Sequence, residues 1–292
     1  MTVITKDISF AIHTLNEGKV VAIPTETVYG LAANIYNETA VKKIFEIKKR
    51  PNNNPLIVHL KSTEQLKEVA KEIPPLATQL ATQFWPGALT LVLNKQDCIS
   101  DWVTSGKTTV AVRVPNHPLT LELLHHLNFP LAAPSANPFG SISPTNAKHV
   151  FDYFQNKIDV ILDGGNCPNG IESTIIGFEG ELPVLYRYGA IPIEEIEKIV
   201  GPIKVHNKDS IAPSAPGMFT KHYAPKTKSF LVEDIEKELK WGTIIPLIGG
   251  SAIGCKKSAG NEPAFHLSYD AFAANESHIE KYWPEVPMYR LD

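Results

Sequence analysis

The sequence predicts an α/β layered fold, with one large domain followed by a smaller one. Three observations carry that expectation. Over the first two hundred residues, short apolar runs of strand length alternate with segments of helical period, the pattern of an α/β or α+β layer. At 292 residues the chain exceeds one typical domain. A stretch rich in Pro, Ser, Lys and His, without periodicity, follows at 202–228 and reads as an interdomain linker. The expected division is therefore 1–201, a linker at 202–228, and a short α/β unit over 229–292.

Each element has a local reason. "KVVAIP" (19–24) is apolar and β-branched, and Pro24 ends its ladder. "ETAVKKIFEIKK" (38–49) spaces Val41, Ile44, Phe45 and Lys48 along one helical face, so Lys48 falls near the C-terminus. "LIVHL" (56–60), "LTLVL" (89–93) and "TTVAVRVP" (108–115) read as strands, and "HPLTLELLHHL" (117–127) as a helix. "DVILDGG" (159–165) and "STIIGF" (173–178) read as strand, turn and strand. "IPIEEIEKIV" (191–200) starts a helix with Pro192 near its first turn. After the linker, "GTIIPLIGG" (242–250) opens the small second unit.

Composition narrows the class. A hydrophobic fraction of 43% with 20% charged residues is ordinary for a globular protein with a sizeable core. A formal charge of −3 argues against a dedicated nucleic-acid coat protein, yet leaves room for a local basic cavity. Cys98, Cys167 and Cys255 are widely spaced without a C-x-x-C pair, so neither a disulfide framework nor a zinc site is expected. The N-terminus lacks a basic start before an apolar stretch, and no apolar run nears the ~20 residues that span a bilayer. The expectation is a cytoplasmic protein with no membrane partner.

Three stretches could carry chemistry. "PTETVYGLAAN" (24–34) sets hydroxyls of Thr25 and Thr27 beside Glu26 and Tyr29, although a capped turn leading into a helix reads equally well. In "IKKRPNNNPLIVHL" (47–60), Lys48 and Lys49 suit a helix C-terminus, but Arg50 before Pro51 is biased to extended backbone. Lys48 and Arg50 could then converge on one anion, the arginine as a planar fork and the lysine as a point charge. "AAPSANPFGSISPTN" (132–146) is proline-stiffened and offers Ser135, Asn137, Ser141, Ser143 and backbone N–H groups as an anion or ribose cradle. Its length without periodicity suggests function, though an ordered surface loop is the plainer reading.

Smaller features point the same way. Arg113 sits in a strand-like apolar run, where an unpaired charge is costly, so it should meet a partner or a polar cavity. His59 has the same oddity, with a satisfied core histidine as the bland alternative. Glu172, Ser173 and Thr174 stand at a strand entrance, and Arg187 lies between two tyrosines. No Walker loop, G-x-S-x-G elbow, H-E-x-x-H or Cys–His pair occurs. Cations with oriented hydroxyls and amides suit positioning and charge stabilisation in nucleotidyl or phosphoryl transfer.

Taken in order, "PTETVYGLAAN", "IKKRPNNNPLIVHL", "FWPGALTLVL", "AVRVPNHP", "PLAAPSANPFGSISPT", "ESTIIGF" and "LYRYGAI" resemble the YrdC-like L-threonylcarbamoyladenylate synthases. "SAPGMFTKHYAP" (214–225) resembles the linker of their long, two-domain form. The resemblance covers about residues 8–228 and implies a twisted mixed-sheet domain with a basic concave cavity, plus a small Rossmann-like C-terminal domain. It implies condensation of L-threonine, bicarbonate or CO₂ and ATP to threonylcarbamoyl-AMP and pyrophosphate, for modification of tRNA position 37. The K-x-R of Lys48 and Arg50 and the S-x-N of Ser135 and Asn137 look like the family signature, with Lys48 and Arg50 as the charge-neutralising pair. Threonine is then expected at Thr27, His59, Arg113, Ala133 and Ser173. ATP is expected at Lys48, Arg50, Asn54, Thr109, Ser135, Asn137, Ser143, Arg187 and Tyr223, with Mg²⁺ brought by the nucleotide and no resident metal. A tRNA threonylcarbamoyl-transfer complex would act downstream. Two other classes stay open: an RNA-binding module, whose RNA affinity could also be a weak side activity, and a carbamoyl-adenylate-forming domain. The closing stretch "FAANESHIEKYWPEVPMYRLD" does not resemble the long form's usual final helix.

Overall fold

A computed structural model of the protein describes residues 1–206. The chain divides into two compact units, Met1–Tyr223 and Ala224–Asp292. Tyr223, "GTIIPLIGG", the expected C-terminal unit and most of the expected linker lie outside the described residues.

The strands are β1 (Val3–Thr5), β2 (Val21–Ile23), β3 (Gly30–Asn34), β4 (Ile57–His59), β5 (Leu89–Asn94), β6 (Thr109–Arg113), β7 (Leu131–Ala132), β8 (Val160–Leu162), β9 (Thr174–Glu179), β10 (Leu182–Arg187) and β11 (Lys204–Val205). They form one mixed sheet in the order β1-β8-β2-β3-β7-β4-β6-β5-β9-β10-β11. Between them run α1 (Ile8–Asn16), α2 (Glu38–Lys48), α3 (Leu66–Val69), α4 (Pro75–Phe84), α5 (Asp101–Thr104), α6 (Pro118–His126), α7 (Ala147–Phe154) and α8 (Ile193–Val200). The mixed α/β fold expected from the alternating pattern is thus present. Among the described residues no helix is long and apolar enough to cross a membrane.

The helix starts follow local chemistry. Asp7, Asn37 and Asn146 each accept from a backbone N–H of the first turn, capping α1, α2 and α7. α4 and α6 open on Pro75 and Pro118, whose missing N–H has no helical partner to lose at that position. Lys49 ends α2 in left-handed backbone with φ 53° and points its exposed side chain away.

Three features go beyond the local pattern. "PTETVYG" leads into a strand, not a helix: β3 pairs antiparallel with β2 through Val21–Ala32 and Ile23–Gly30. "DVILDGG" and "STIIGF" supply the expected strands β8 and β9, which the sheet sets apart, β8 between β1 and β2 and β9 beside β5. The sheet also continues past residue 201, since β11 pairs parallel with β10.

Period-two alternation divides the side chains between two faces. One face carries a continuous core in which Ala22, Leu31, Val58, Leu91 and Val112 meet Val41, Ile44 and Phe45 of α2, Leu80 of α4, Val150 and Phe154 of α7, and Ile196 of α8. On the other face, α1 and α6 cover only the β1-to-β7 half, packing Ala11, Leu15, Leu123 and Leu124 on Val21, Ile23 and Val160. Across β4, β6, β5 and β9 that face carries a small apolar set, Ile57, Val92, Ala111 and Ile175, with Tyr186 beside it. His59 and Arg113 share a face with Ile57 and Ala111 and are paired in register across parallel strands. The polar residues of the strands therefore collect where no described helix lies over the sheet.

Candidate active site

The cavity on this face is open to solvent and measures about 50 Å³. Thr25, Thr27, Val28, Tyr29 and Gly30 form one wall; Ala133, Pro134 and Ser135 form the next. Arg50, Ile57, His59, Arg113, Glu172, Ser173 and Arg187 complete it.

Backbone hydrogen bonds hold two of these walls together. Leu31 N–H donates to Pro134 O at 2.7 Å, Ala136 N–H to Tyr29 O at 2.7 Å, and Tyr29 N–H to Pro144 O at 2.9 Å. Ala133 N–H donates to Ile57 O at 2.9 Å and Phe139 N–H to Lys48 O at 2.7 Å. The 132–146 segment is thus stitched along β3 and onto the end of α2. This corrects one expectation, because several N–H groups foreseen as ligand donors are spent inside the protein. Gly30 permits the approach: a Cβ there would lie 3.2 Å from that of Ala133.

Among the residues expected to hold threonine, Arg113 is the best fixed. It is buried at the end of β6, where Nη1 donates to Thr27 Oγ1 at 2.9 Å. Its Nη2 lies 2.6 Å from Glu26 Oε1, an ion pair with both side chains almost fully covered. That contact is close without hydrogen-bond alignment, and Arg113 Nε has no partner among the described residues. Glu26 Oε2 is anchored in turn by the Asn116 N–H at 3.0 Å. His59 lies beside Arg113, with Nδ1 3.3 Å from Ile57 O. Burial, reinforced by the Arg113 charge and opposed by the Ile57 carbonyl, pushes its pKa down to about 3, so the ring is neutral near pH 7. Ser173 Oγ pairs with Thr90 Oγ1 at 2.7 Å and accepts from Arg187 Nη2 at 3.1 Å. Ala133, the fifth of these residues, is on the wall.

The residues expected for the nucleotide divide. Arg50, Ser135 and Arg187 line the cavity. Arg50 donates to Asn54 O at 3.1 Å and Pro55 O at 2.8 Å, and burial followed by the Arg187 charge lowers its pKa to about 9. Arg187 donates to Ser173 O at 2.8 Å through Nη2, and burial lowers its pKa to about 10, the Glu172 charge opposing. Lys48, Asn54, Thr109, Asn137 and Ser143 are not brought to the wall.

Lys48 is placed differently from Arg50. As the last residue of α2 it turns inward, only 1% exposed, and its ammonium donates to the carbonyls of Ser135 and Asn137. Burial and the Arg50 charge hold its pKa well below the usual lysine range, with Glu172 opposing. Lys48 therefore fastens the Ser135–Asn137 turn, whereas Arg50 alone of the pair faces the cavity. Asn54 and Asn137 are buried, each with an unpartnered side-chain carbonyl, and Ser143 donates to Glu172 Oε1 at 2.6 Å. Thr109 is half-buried at the far end of β6, ~13 Å from Arg113 at strand rise.

Sequence reasoning missed Glu26 and left Glu172 without a role. A signal existed for Glu26: a carboxylate directly after a buried strand needs a cation, and Arg113 is a buried cation needing a carboxylate.

The fold and cavity define an α/β protein whose sheet presents arginines, one neutral histidine and small hydroxyls around an open cleft, equipped to hold a small polar anion-bearing ligand. The chain belongs to the Sua5/YciO/YrdC family, described as "Telomere recombination", which residues 13–189 match. Residues 191–277 match a second family, described as "Threonylcarbamoyl-AMP synthase, C-terminal domain". The threonylcarbamoyl-AMP synthase of Pyrococcus abyssi is 51% identical over 223 residues, covering 75% of this chain and 66% of that protein. The Bacillus subtilis protein of the same name is 49% identical over 215 residues, 72% of this chain and 62% of its own. The chain thus spans somewhat under two thirds of these relatives. Among solved structures, P. abyssi Sua5 complexed with L-threonine superposes with a TM-score of 0.81 at 40% identity, covering 96% of this chain and 89% of that one. Escherichia coli YciO shares the fold, with a TM-score of 0.61 at 22% identity over 67% of this chain and all of its own.

Proposed function

We propose that the protein is a threonylcarbamoyl-AMP synthase, condensing L-threonine, bicarbonate or CO₂ and ATP with release of pyrophosphate. The observation that carries this reading is the Arg113–Thr27–His59–Ser173 wall, in a chain 40% identical to a structure that holds L-threonine. Arg113 receives the threonine carboxylate as a fork, while Thr27 and Ser173 offer hydroxyls to its polar groups. His59 stays neutral and adds no charge against the substrate ammonium.

Arg50 and Arg187 give the cavity its basic character and take the phosphates. With a free threonine amine, attack on CO₂ gives a carbamate and releases one proton to solvent; a carbamate oxygen then attacks the α-phosphorus, and the bond to pyrophosphate breaks. Both nucleophiles belong to substrates, so the residues are asked to orient and to offset charge on the phosphates. A Mg²⁺ accompanying ATP would find one carboxylate on the wall, Glu172. The described residues present no group of three His, Cys, Asp or Glu for a resident ion, so phosphate oxygens and water would complete its shell.

The test is pyrophosphate release. Turnover that requires threonine, bicarbonate and ATP together supports the synthase. Stimulation by carbamoyl phosphate in place of threonine would assign the carbamoyl-adenylate reaction, and salt-dependent RNA affinity without turnover would leave an RNA-binding module.

A further inference from the structure

We propose that Glu26 is a specificity-determining residue: it neutralises Arg113 from behind the cavity wall, so that this end of the cleft accepts a zwitterionic amino acid and refuses simple anions. The inference rests on the reading of Arg113 as the receptor for an amino-acid carboxylate.

Two arginines of the same cavity are treated differently. Arg50 donates to the neutral carbonyls of Asn54 and Pro55, and no carboxylate forms an ion pair with it among the described residues. Arg113 is matched by a full carboxylate at 2.6 Å. Arg113 and Thr27 line the cavity, whereas Glu26 and its anchor Asn116 do not. Glu26 thus pairs with Arg113 from off the cavity wall, while Arg113 itself and its partner Thr27 are on it.

The consequence follows from charge balance. A cleft that must hold a triphosphate and an amino acid together contains two places where an anion would settle. Near Arg50, net positive charge favours phosphate. Near Arg113, the pair sums to zero, so an inorganic anion that approaches Arg113 meets a carboxylate close behind that charge. A zwitterion loses nothing there: its carboxylate meets the fork, and its ammonium feels no excess positive field. Geometry and charge thus divide one cleft into an anion half and a zwitterion half, which keeps phosphate, pyrophosphate and misplaced ATP off the amino-acid end.

The experiment uses inorganic phosphate as the probe, at fixed ionic strength, on the full chain. In the wild type, phosphate should compete with ATP and not with threonine. In Glu26→Gln, which keeps the shape and the acceptor for Asn116, phosphate should become competitive with threonine. Its inhibition constant should fall about tenfold or more, since one opposing charge within a few ångströms is removed. The threonine KM should move by no more than about threefold, because attraction of the carboxylate and repulsion of the ammonium rise together. Glu26→Asp, which keeps the charge, should restore the wild-type pattern. Calorimetric titration of phosphate should show a second site in Glu26→Gln that Arg113→Met added to it abolishes. Competition between phosphate and threonine already in the wild type, or an unchanged pattern in Glu26→Gln, would overturn the inference. A Gln variant that only loses stability and turnover would reduce Glu26 to a structural partner. Wild-type protein lacking threonine-dependent turnover would instead strike at the functional reading, and the phosphate titration would still judge Glu26.

Discussion

His59 should make the protein acid-labile in a way that one substitution removes. Its pKa is about 3 in the folded protein, against an ordinary 6.5. The unfolded chain therefore binds the proton first as pH falls, and folding stability must rise with pH across that interval. The contribution is whole above pH 6.5 and erodes by ~1.4 kcal/mol per pH unit on the way down to about pH 3. Between pH 7 and pH 5 the loss from this one ring amounts to ~2 kcal/mol. No discount for solvent applies, because His59 is 3% exposed. The assay is urea unfolding at pH 7 and pH 5 for wild type and His59→Asn. Burial also lowers the pKa of half-buried His117 and His149, but both remain in the variant and cancel in the comparison. The wild type should lose ~2 kcal/mol more than the variant between the two pH values. Equal losses would mean that the imidazole is not held neutral by burial and Arg113, and the argument for a neutral histidine beside the substrate ammonium would fail.

Three more outcomes follow from contacts already described. Arg50→Ala should lower turnover by roughly 10²–10³-fold with little change in folding, as expected when one preorganised donor to developing charge is lost; steady-state pyrophosphate release measures it. Lys48→Met should instead free the Ser135–Asn137 turn, so hydrogen exchange should quicken across 133–139 in that variant and stay slow in Arg50→Ala. Ser143→Ala leaves Glu172 with neither oxygen partnered and should cost ~1–3 kcal/mol in urea unfolding.

Much of this protein was legible as pattern. β-Branched runs and helical spacing located β2, α2, β6, α6 and α8, since local periodicity decides those elements. The stretch from 24 to 34 misled because hydroxyls and an acid after Pro24 satisfy the same local rules as a helix start. Only the ladder to β2 and the bonds to Pro134 and Pro144, made by distant chain, select a strand. The candidate site divides in the same way. Arg113 stands out as a charge inside an apolar run, and both its cavity and its carboxylate are there. Lys48 and Arg50 look equivalent in sequence, yet the rotation of α2 sets the lysine ammonium on the Ser135 and Asn137 carbonyls. Sequence spacing fixes that two cations are close, but not which of them faces the ligand.

The stitched walls have a consequence for how the protein comes together. Thr25, Arg50, Arg113, Ser135 and Arg187 reach the cavity from five separate parts of the chain, and the sheet order interleaves early and late strands. Few of these neighbours are close in sequence, so little of the cleft can exist before most of the sheet has closed, and folding should be slow for a chain this size. Occupancy of the cleft then reports on the whole first unit. A ligand held there stabilises every strand at once by mass action, and a nick anywhere between Thr25 and Arg187 should be felt at the ligand.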